Sequence, residues 1–257
     1  MEKIQLENKL DYITCKVAKN ENINDNIYKF EFNGNFKGKP GQFYMLRAWD
    51  KEPLLSRPIS INYLDDEKIV FLYQVVGTGT KKLSLLKEDD EVKLMGPLGN
   101  GFDIDNIDGK VAMISGGIGI APMLYLAKIL SEKSSKKDMQ LDLYAGFKKE
   151  TYILDRFDDF VDNIYYSLET GKSENKGFIT DIFHPQLYDM VLCCGPGPMM
   201  MRVVTMCREK NIPVYVSMEN HMACGVGACL VCTCKTKHGN KRTCVDGPVF
   251  LGEDLVL

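Results

Sequence analysis

Residues 221–244 read "HMACGVGACLVCTCKTKHGNKRTC", and they leave a chain few ways to fold. Cys224, Cys229, Cys232, Cys234 and Cys244 lie here, five of the nine cysteines in 257 residues. Disulfide knots, zinc ribbons and iron–sulfur loops all cluster cysteines, and spacing separates them. The cysteine count is odd, and the amino terminus "MEKIQLENKLDY" lacks the apolar core of a secretion signal. Both point to metal ligation or redox work where thiols stay reduced, most simply the cytoplasm. The order C-x4-C-x2-C, with Cys244 after eleven further residues, is the plant-type spacing for a [2Fe–2S] cluster. Cys224, Cys229 and Cys232 would come from one loop and Cys244 from beyond it. Gly225, Gly227 and Ala228 suit that use, because a loop wrapped around two irons brings backbone N–H groups close to sulfur. A structural zinc site usually pairs two short cysteine knuckles; here His221 or His238 would have to complete the second. Cys234 is a spare thiol, near enough in sequence to exchange with Cys232.

Such a tail, residues 219–257, is too short for a core of its own and needs a cofactor as its staple. The preceding residues are enough for two compact domains. Over the first hundred, "YITCKVAKN", "IYKFEF", "GQFYMLRAW", "ISINYL" and "KIVFLYQVV" are β-branched and aromatic runs broken by Asn, Asp, Gly or Pro, which predicts an antiparallel barrel. One helix, "TKKLSLLKEDD", interrupts it, and "GPLGNGF" (96–102) is its exit. From about residue 108 apolar strands alternate with helical segments, which predicts a parallel sheet with covering helices. The expected class is β + α/β: a β-barrel over 1–103, a nucleotide-binding α/β domain over 104–218, and the cysteine segment over 219–257. A net charge of −3 argues against a nucleic-acid partner, and no apolar run is long enough for a membrane.

Two glycine turns follow predicted strands. "SGGIGIAPM" (115–123) opens a helix, so free N–H groups and the positive dipole end face any pyrophosphate, although Gly116, Gly117 and Gly119 do not form a G-x-G-x-x-G fingerprint. "CGPGPMM" (194–200) repeats the device after a later strand. Strands of a parallel sheet present ligands at their carboxyl ends, so both turns are expected to line one crevice, with Cys194 facing the ligand or simply buried. In the first domain "RPIS" (57–60) combines a guanidinium suited to a pyrophosphate with strand backbone suited to a flat heterocycle, and Gly79-Thr80 is a further phosphate contact. Without context these are a surface arginine and a turn.

Taken in order, "GQFYML", "RPIS", "LYQVVGTGT", "GPLGNGF", "SGGIGIAPM" and "CGPGPMM" resemble the ferredoxin reductase superfamily. With "ENHMACGVGACLVCTCK" and the later Cys244, the chain resembles along its whole length the electron-transfer subunits of NAD-dependent dihydroorotate dehydrogenase B. The resemblance implies FAD contacts at Arg57, Pro58, Ile59, Ser60, Leu72, Tyr73, Gln74, Gly79 and Thr80, although the family often carries arginine where Gln74 stands. It implies cluster ligands at Cys224, Cys229, Cys232 and Cys244. NAD is expected at Gly116, Gly117, Gly119 and Pro122 and at Cys194, Gly195 and Pro196.

By the same resemblance the partner is an FMN-containing catalytic subunit that oxidises dihydroorotate, in a heterotetramer of two copies of each subunit, for pyrimidine biosynthesis. A nicotinamide exchanges hydride, a cluster exchanges single electrons, and FAD does both, so one carrier site per segment makes a converter. No acid–base residue of this chain need touch dihydroorotate. NAD rather than NADP rests on the resemblance, since Lys148 or Lys149 of "GFKKE" could meet a 2′-phosphate or be a solvated pair. The rival expectations are a related reductase subunit serving ferredoxin, sulfur or hydrogenase partners, and a redox sensor whose flavin site has decayed.

Overall fold

The computed structural model describes residues 11–134, 139–172 and 174–256. Residues 1–10, most of the amino-terminal stretch considered above, lie outside the described residues. The first sheet contains β1 (Ile13–Lys16), β2 (Lys19–Asn24), β3 (Ile27–Asn33), β4 (Phe43–Arg47), β5 (Arg57–Leu64), β6 (Lys68–Gln74) and β7 (Glu91–Leu98). Their order is β1-β7-β4-β5-β6-β3-β2, with antiparallel pairing. β1 and β2 are consecutive in the chain yet stand at opposite ends of that order, so the sheet must curl until its edges meet. Val17 and Ala18 make the joint. The Val17 N–H donates to Asp90 O (2.9 Å) beside β7, and the Ala18 N–H to Glu31 O (2.9 Å) on β3. "YITCKVAKN" is therefore two strands and not one, because the run serves both edges.

Alternation with period two sends Phe30, Phe32, Tyr44, Leu46, Ile61 and Phe71 into the barrel core. Burying each large apolar side chain contributes about 1.5–3 kcal/mol. β7 was hidden in the sequence by Gly96-Pro97. The strand accommodates both through a register shift against β4, and Gly96 leaves room for the Tyr44 ring. α1 (Thr78–Ser84) closes one barrel end with Leu83 fully buried, held by Asn20 Nδ2, which donates to Leu83 O (2.9 Å) and Leu86 O (2.8 Å). It starts and stops earlier than "TKKLSLLKEDD" suggests. The chain turns at Asp89 (φ 69°), whose N–H is taken by Val17 O.

The second unit runs β8 (Lys110–Gly116), α2 (Ala121–Ser134), β9 (Gln140–Phe147), β10 (Asn163–Leu168), β11 (Met190–Cys194), α3 (Gly197–Lys210) and β12 (Val214–Ser217). The cysteine segment adds a separate hairpin, β13 (Thr233–Thr236) with β14 (Gly239–Arg242), and then β15 (Val249–Leu251). The sheet order is β10-β9-β8-β11-β12-β15, parallel except where β15 pairs with β12. Runs such as Val111–Gly116 are buried throughout, as a strand covered on both faces requires. The chain builds β9 and β10 on one side of β8, then crosses to β11 and β12 on the other. That reversal opens a crevice beyond Gly116 and Cys194, where ligands of open α/β sheets bind.

The two units are fixed against each other at the start of α2. Asn62 Nδ2 donates to Ala121 O (2.8 Å), Tyr125 OH to Gly38 O (3.3 Å), and Lys128 Nζ sits 4.6 Å from the Tyr63 ring centre. Among the described residues no helix is long and apolar enough to cross a membrane.

Candidate cofactor cavities and thiol pairs

A cavity of about 500 Å³ opens where barrel, sheet and cysteine segment meet. Arg57, Pro58, Ile59 and Ser60 on β5, Leu72, Tyr73 and Gln74 on β6, and Thr80 on α1 all line it. Gly79 does not, and its role is space: a Cβ there would lie 2.2 Å from Arg57 Nε. The Thr80 hydroxyl organises its own turn, accepting from the N–H groups of Val76 (3.0 Å) and Gly77 (3.2 Å). Gln74 Nε2 reaches Asn26 Oδ1 (3.4 Å).

Arg57 is half-buried, and among the described residues no carboxylate pairs with it; Nη1 donates to Leu55 O (2.7 Å) instead. Burial lowers its pKa, as expected of a cation without an anion. An unpaired guanidinium beside an apolar slot of Ile59, Leu72 and Tyr73 suits a ligand that joins an anionic group to a flat apolar ring, as a flavin dinucleotide does.

A second cavity, about 490 Å³, lies at the carboxyl ends of β8, β9 and β10. Of the expected nicotinamide residues, Gly116, Gly117 and Pro196 line it. Gly119 and Gly195 bring the two turns together, backbone on backbone; a Cβ on Gly119 would be 2.5 Å from Cys194 O. Pro122 is buried in the first turn of α2. Cys194 is buried and bonded to Ser217, and its thiol pKa stands far above the ordinary value through burial, then the nearby Glu219 and Cys193. Its side chain lines neither cavity. Lys148 faces the second cavity and Lys149 a separate surface hollow. The Ser167 hydroxyl lines the second cavity, buried and without a hydrogen-bond partner among the described residues, which suits a polar ligand.

The four expected cluster cysteines fall into two contacts. Cys232 and Cys244 are buried with their sulfurs 3.2 Å apart. Cys224 bonds to the Cys229 thiol and accepts from the N–H groups of Val226 (3.4 Å) and Cys229 (3.5 Å). Burial pushes the Cys224 pKa up, but these donors outweigh it and bring the thiol down to about 7. Burial and the Cys232 contact push Cys244 up to about 12. Gly225 makes the approach possible: it has φ 73°, and a Cβ would strike Met45 and Leu98 of the barrel. Among the described residues no group of three or more His, Cys, Asp or Glu could hold one metal ion. Thiols in two pairs suit two irons better than a single ion. Cys234 is buried, and its thiol bonds Thr243.

Several residues at the site were not among the expected contacts. Phe43 and Met222 line the first cavity and also belong to the apolar cluster that contains Cys232 and Cys244. Ile118 and Ala121 bring the first glycine turn into that cavity. Glu219 has accessible surface, but that surface faces the cavity, and the surrounding protein raises its carboxyl pKa through desolvation. Glu169 and Arg202 face the second cavity, where Arg202 is paired with Asp181 (2.9 Å).

A seven-stranded barrel, an open α/β sheet and a terminal cysteine segment around one junction are the architecture of the ferredoxin reductase fold. An NADH-dependent reduced ferredoxin-NADP oxidoreductase, solved in a study of flavin-based electron bifurcation, superposes with TM-score 0.83 at 27% identity over 98% of this chain and 91% of its own. A ferredoxin reductase of carbazole 1,9a-dioxygenase, 19% identical, shares the fold with TM-score 0.66 over 80% and 68%. The family model for the iron-sulfur cluster binding domain of dihydroorotate dehydrogenase B matches residues 219–256. The electron transfer subunit of dihydroorotate dehydrogenase B (NAD(+)) from Clostridium acetobutylicum is 56% identical over 246 residues, 96% of this chain and 98% of that protein. Its Clostridium perfringens counterpart is 49% identical over 243 residues, 95% and 97%. The chain belongs to the electron-transfer subunits of dihydroorotate dehydrogenase B, an NAD-linked oxidoreductase.

Proposed function

We propose that this subunit holds a [2Fe–2S] cluster on Cys224, Cys229, Cys232 and Cys244, FAD in the junction cavity, and NAD⁺ in the crevice beyond Gly117. Together these groups supply the exchange between single electrons and hydride that joins a one-electron centre to a nicotinamide. Phe43 and Met222 carry this reading, because they belong both to the cavity wall and to the packing around Cys232 and Cys244. Any carrier in the cavity is then a side chain's thickness from the thiols.

The chain's own residues have definite tasks. Arg57 neutralises the diphosphate, and Ile59, Leu72 and Tyr73 keep water from the ring. Gly116, Gly117 and Pro196 admit the dinucleotide close to backbone, and Ile118 and Ala121 continue the same turn into the flavin cavity. Glu219 lines the same cavity, where desolvation raises its carboxyl pKa. In this reading the boundaries between barrel, nucleotide domain and cluster segment fall after residue 103 and after residue 218.

Dihydroorotate itself is oxidised by an FMN-containing catalytic subunit, in a cytoplasmic heterotetramer with two copies of each chain. The relatives' description as one subunit of an NAD-linked enzyme supports this partnership. Co-expression with a candidate catalytic subunit tests it. Dihydroorotate-dependent NAD⁺ reduction is expected from the complex and from neither chain alone. Failure to form a complex would favour a reductase subunit serving another partner.

A further inference from the structure

We propose that Trp49 is a positioning residue for Arg57, presetting the guanidinium for the flavin diphosphate; the inference rests on the flavin reading above. Trp49 is the only tryptophan of the chain and lies in the connection between β4 and β5, yet it is only 8% exposed. Its indole N–H donates to Pro53 O, which fixes the ring. Arg57 Cζ lies 5.6 Å from the ring centre, within cation–π range. Gly79 crowds the guanidinium from α1, where even a methyl group would collide with Arg57 Nε. Arg57 is thus confined by an aromatic face and by a helix that has no side chain at that point.

The connection carrying Trp49 is itself clasped. Arg47 donates to Trp49 O (2.7 Å), Leu54 O (2.8 Å) and Asp50 O (2.5 Å), and Lys82 of α1 donates to Glu52 O (2.7 Å). Arg57 adds its own bonds to Leu55 O and Ser56 O. Its partners here are carbonyls and a ring, none of which cancels the positive charge. An arginine on a free stem surrenders rotamer freedom when it binds an anion, whereas one already held surrenders less. Trp49 therefore strengthens binding of a phosphate-bearing flavin and does nothing for the bare ring. A packing role alone would act on both, since Trp49 also belongs to the barrel core.

The test uses the full-length chain, freed of flavin and titrated separately with FAD and riboflavin. Trp49→Leu should raise the FAD dissociation constant about threefold to thirtyfold, the range of a lost cation–π contact, with riboflavin unchanged. Trp49→Phe keeps an aromatic face and the fold; it should weaken FAD less than Trp49→Leu, again sparing riboflavin. In an Arg57→Met background, replacing Trp49 should add nothing to the FAD loss. Equal weakening of FAD and riboflavin, unchanged FAD affinity in both Trp49 variants, or a full penalty without Arg57 would overturn the proposal. A wild-type chain that carries iron and sulfide but never takes up FAD would remove the flavin reading, and the proposal with it.

Discussion

Gly119 is where the two glycine turns touch, so adding one methyl group there has a calculable effect. In Gly119→Ala the new carbon would lie 2.5 Å from Cys194 O and 2.6 Å from Gly195 Cα. A comfortable contact is about 3.5 Å, so one turn must retreat by about 1 Å. The obstacle is backbone, which cannot swing aside as a side-chain tip can. Overpacking of this kind costs about 1–3 kcal/mol, and a chain of this size loses about 2–4 °C of Tm per kcal/mol. The same turn lines both cavities, through Gly117 on one side and Ile118 on the other. A misplacement of about 1 Å between reacting groups costs on the order of 100-fold in rate. Rapid-mixing measurement of flavin reduction by NADH, with a thermal melt of the same sample, reads both effects. Gly197→Ala is the control, because its Cβ would meet nothing within 4 Å. Gly119→Ala should retain FAD but be reduced on the order of 100-fold more slowly, with Gly197→Ala close to wild type. A wild-type rate and melting temperature in Gly119→Ala would refute the idea that the two turns form one crevice.

Three further outcomes are expected. Cys244→Ser should abolish the visible absorbance of the cluster while Cys234→Ser preserves it, since Cys244 meets Cys232 sulfur to sulfur (3.2 Å) whereas the Cys234 thiol bonds Thr243; anaerobic spectra decide this. Glu169 places a carboxylate in the second cavity, where it would repel a 2′-phosphate, so Glu169→Gln should raise kcat/KM for NADPH about tenfold or more relative to NADH in steady-state assays. Desolvation raises the Glu219 pKa, so ionising this group costs stability as pH rises through its folded value. Glu219→Gln should therefore raise the Tm of the flavin-free chain at neutral pH, with the gain fading as pH falls into the carboxylate range.

β3 through β6 were visible in the sequence because each is a β-branched and aromatic run paired within the barrel. The split between β1 and β2 was not, since it arises from barrel closure, a pairing between distant residues that leaves no local mark. β15 was missed for a related reason: a three-residue strand gains its order from the open edge of β12. The cysteine spacing and the "RPIS" stretch stood out in the sequence as candidates because the proposed chemistry needs those residue types at that spacing. Glu219, Glu169, Trp49, Met222 and Phe43 were not singled out as contacts, because only the meeting of distant segments gives them the neighbours that matter. Cys194 shows the converse, a reactive type that the fold buries behind Ser217.

The path from nicotinamide to thiols through the junction cavity can be tested by adding NADH anaerobically to the full chain with and without its flavin while the cluster's visible and paramagnetic signals are followed. The cluster should be reduced only when FAD is bound. Equal reduction in the flavin-free chain would contradict the arrangement described above.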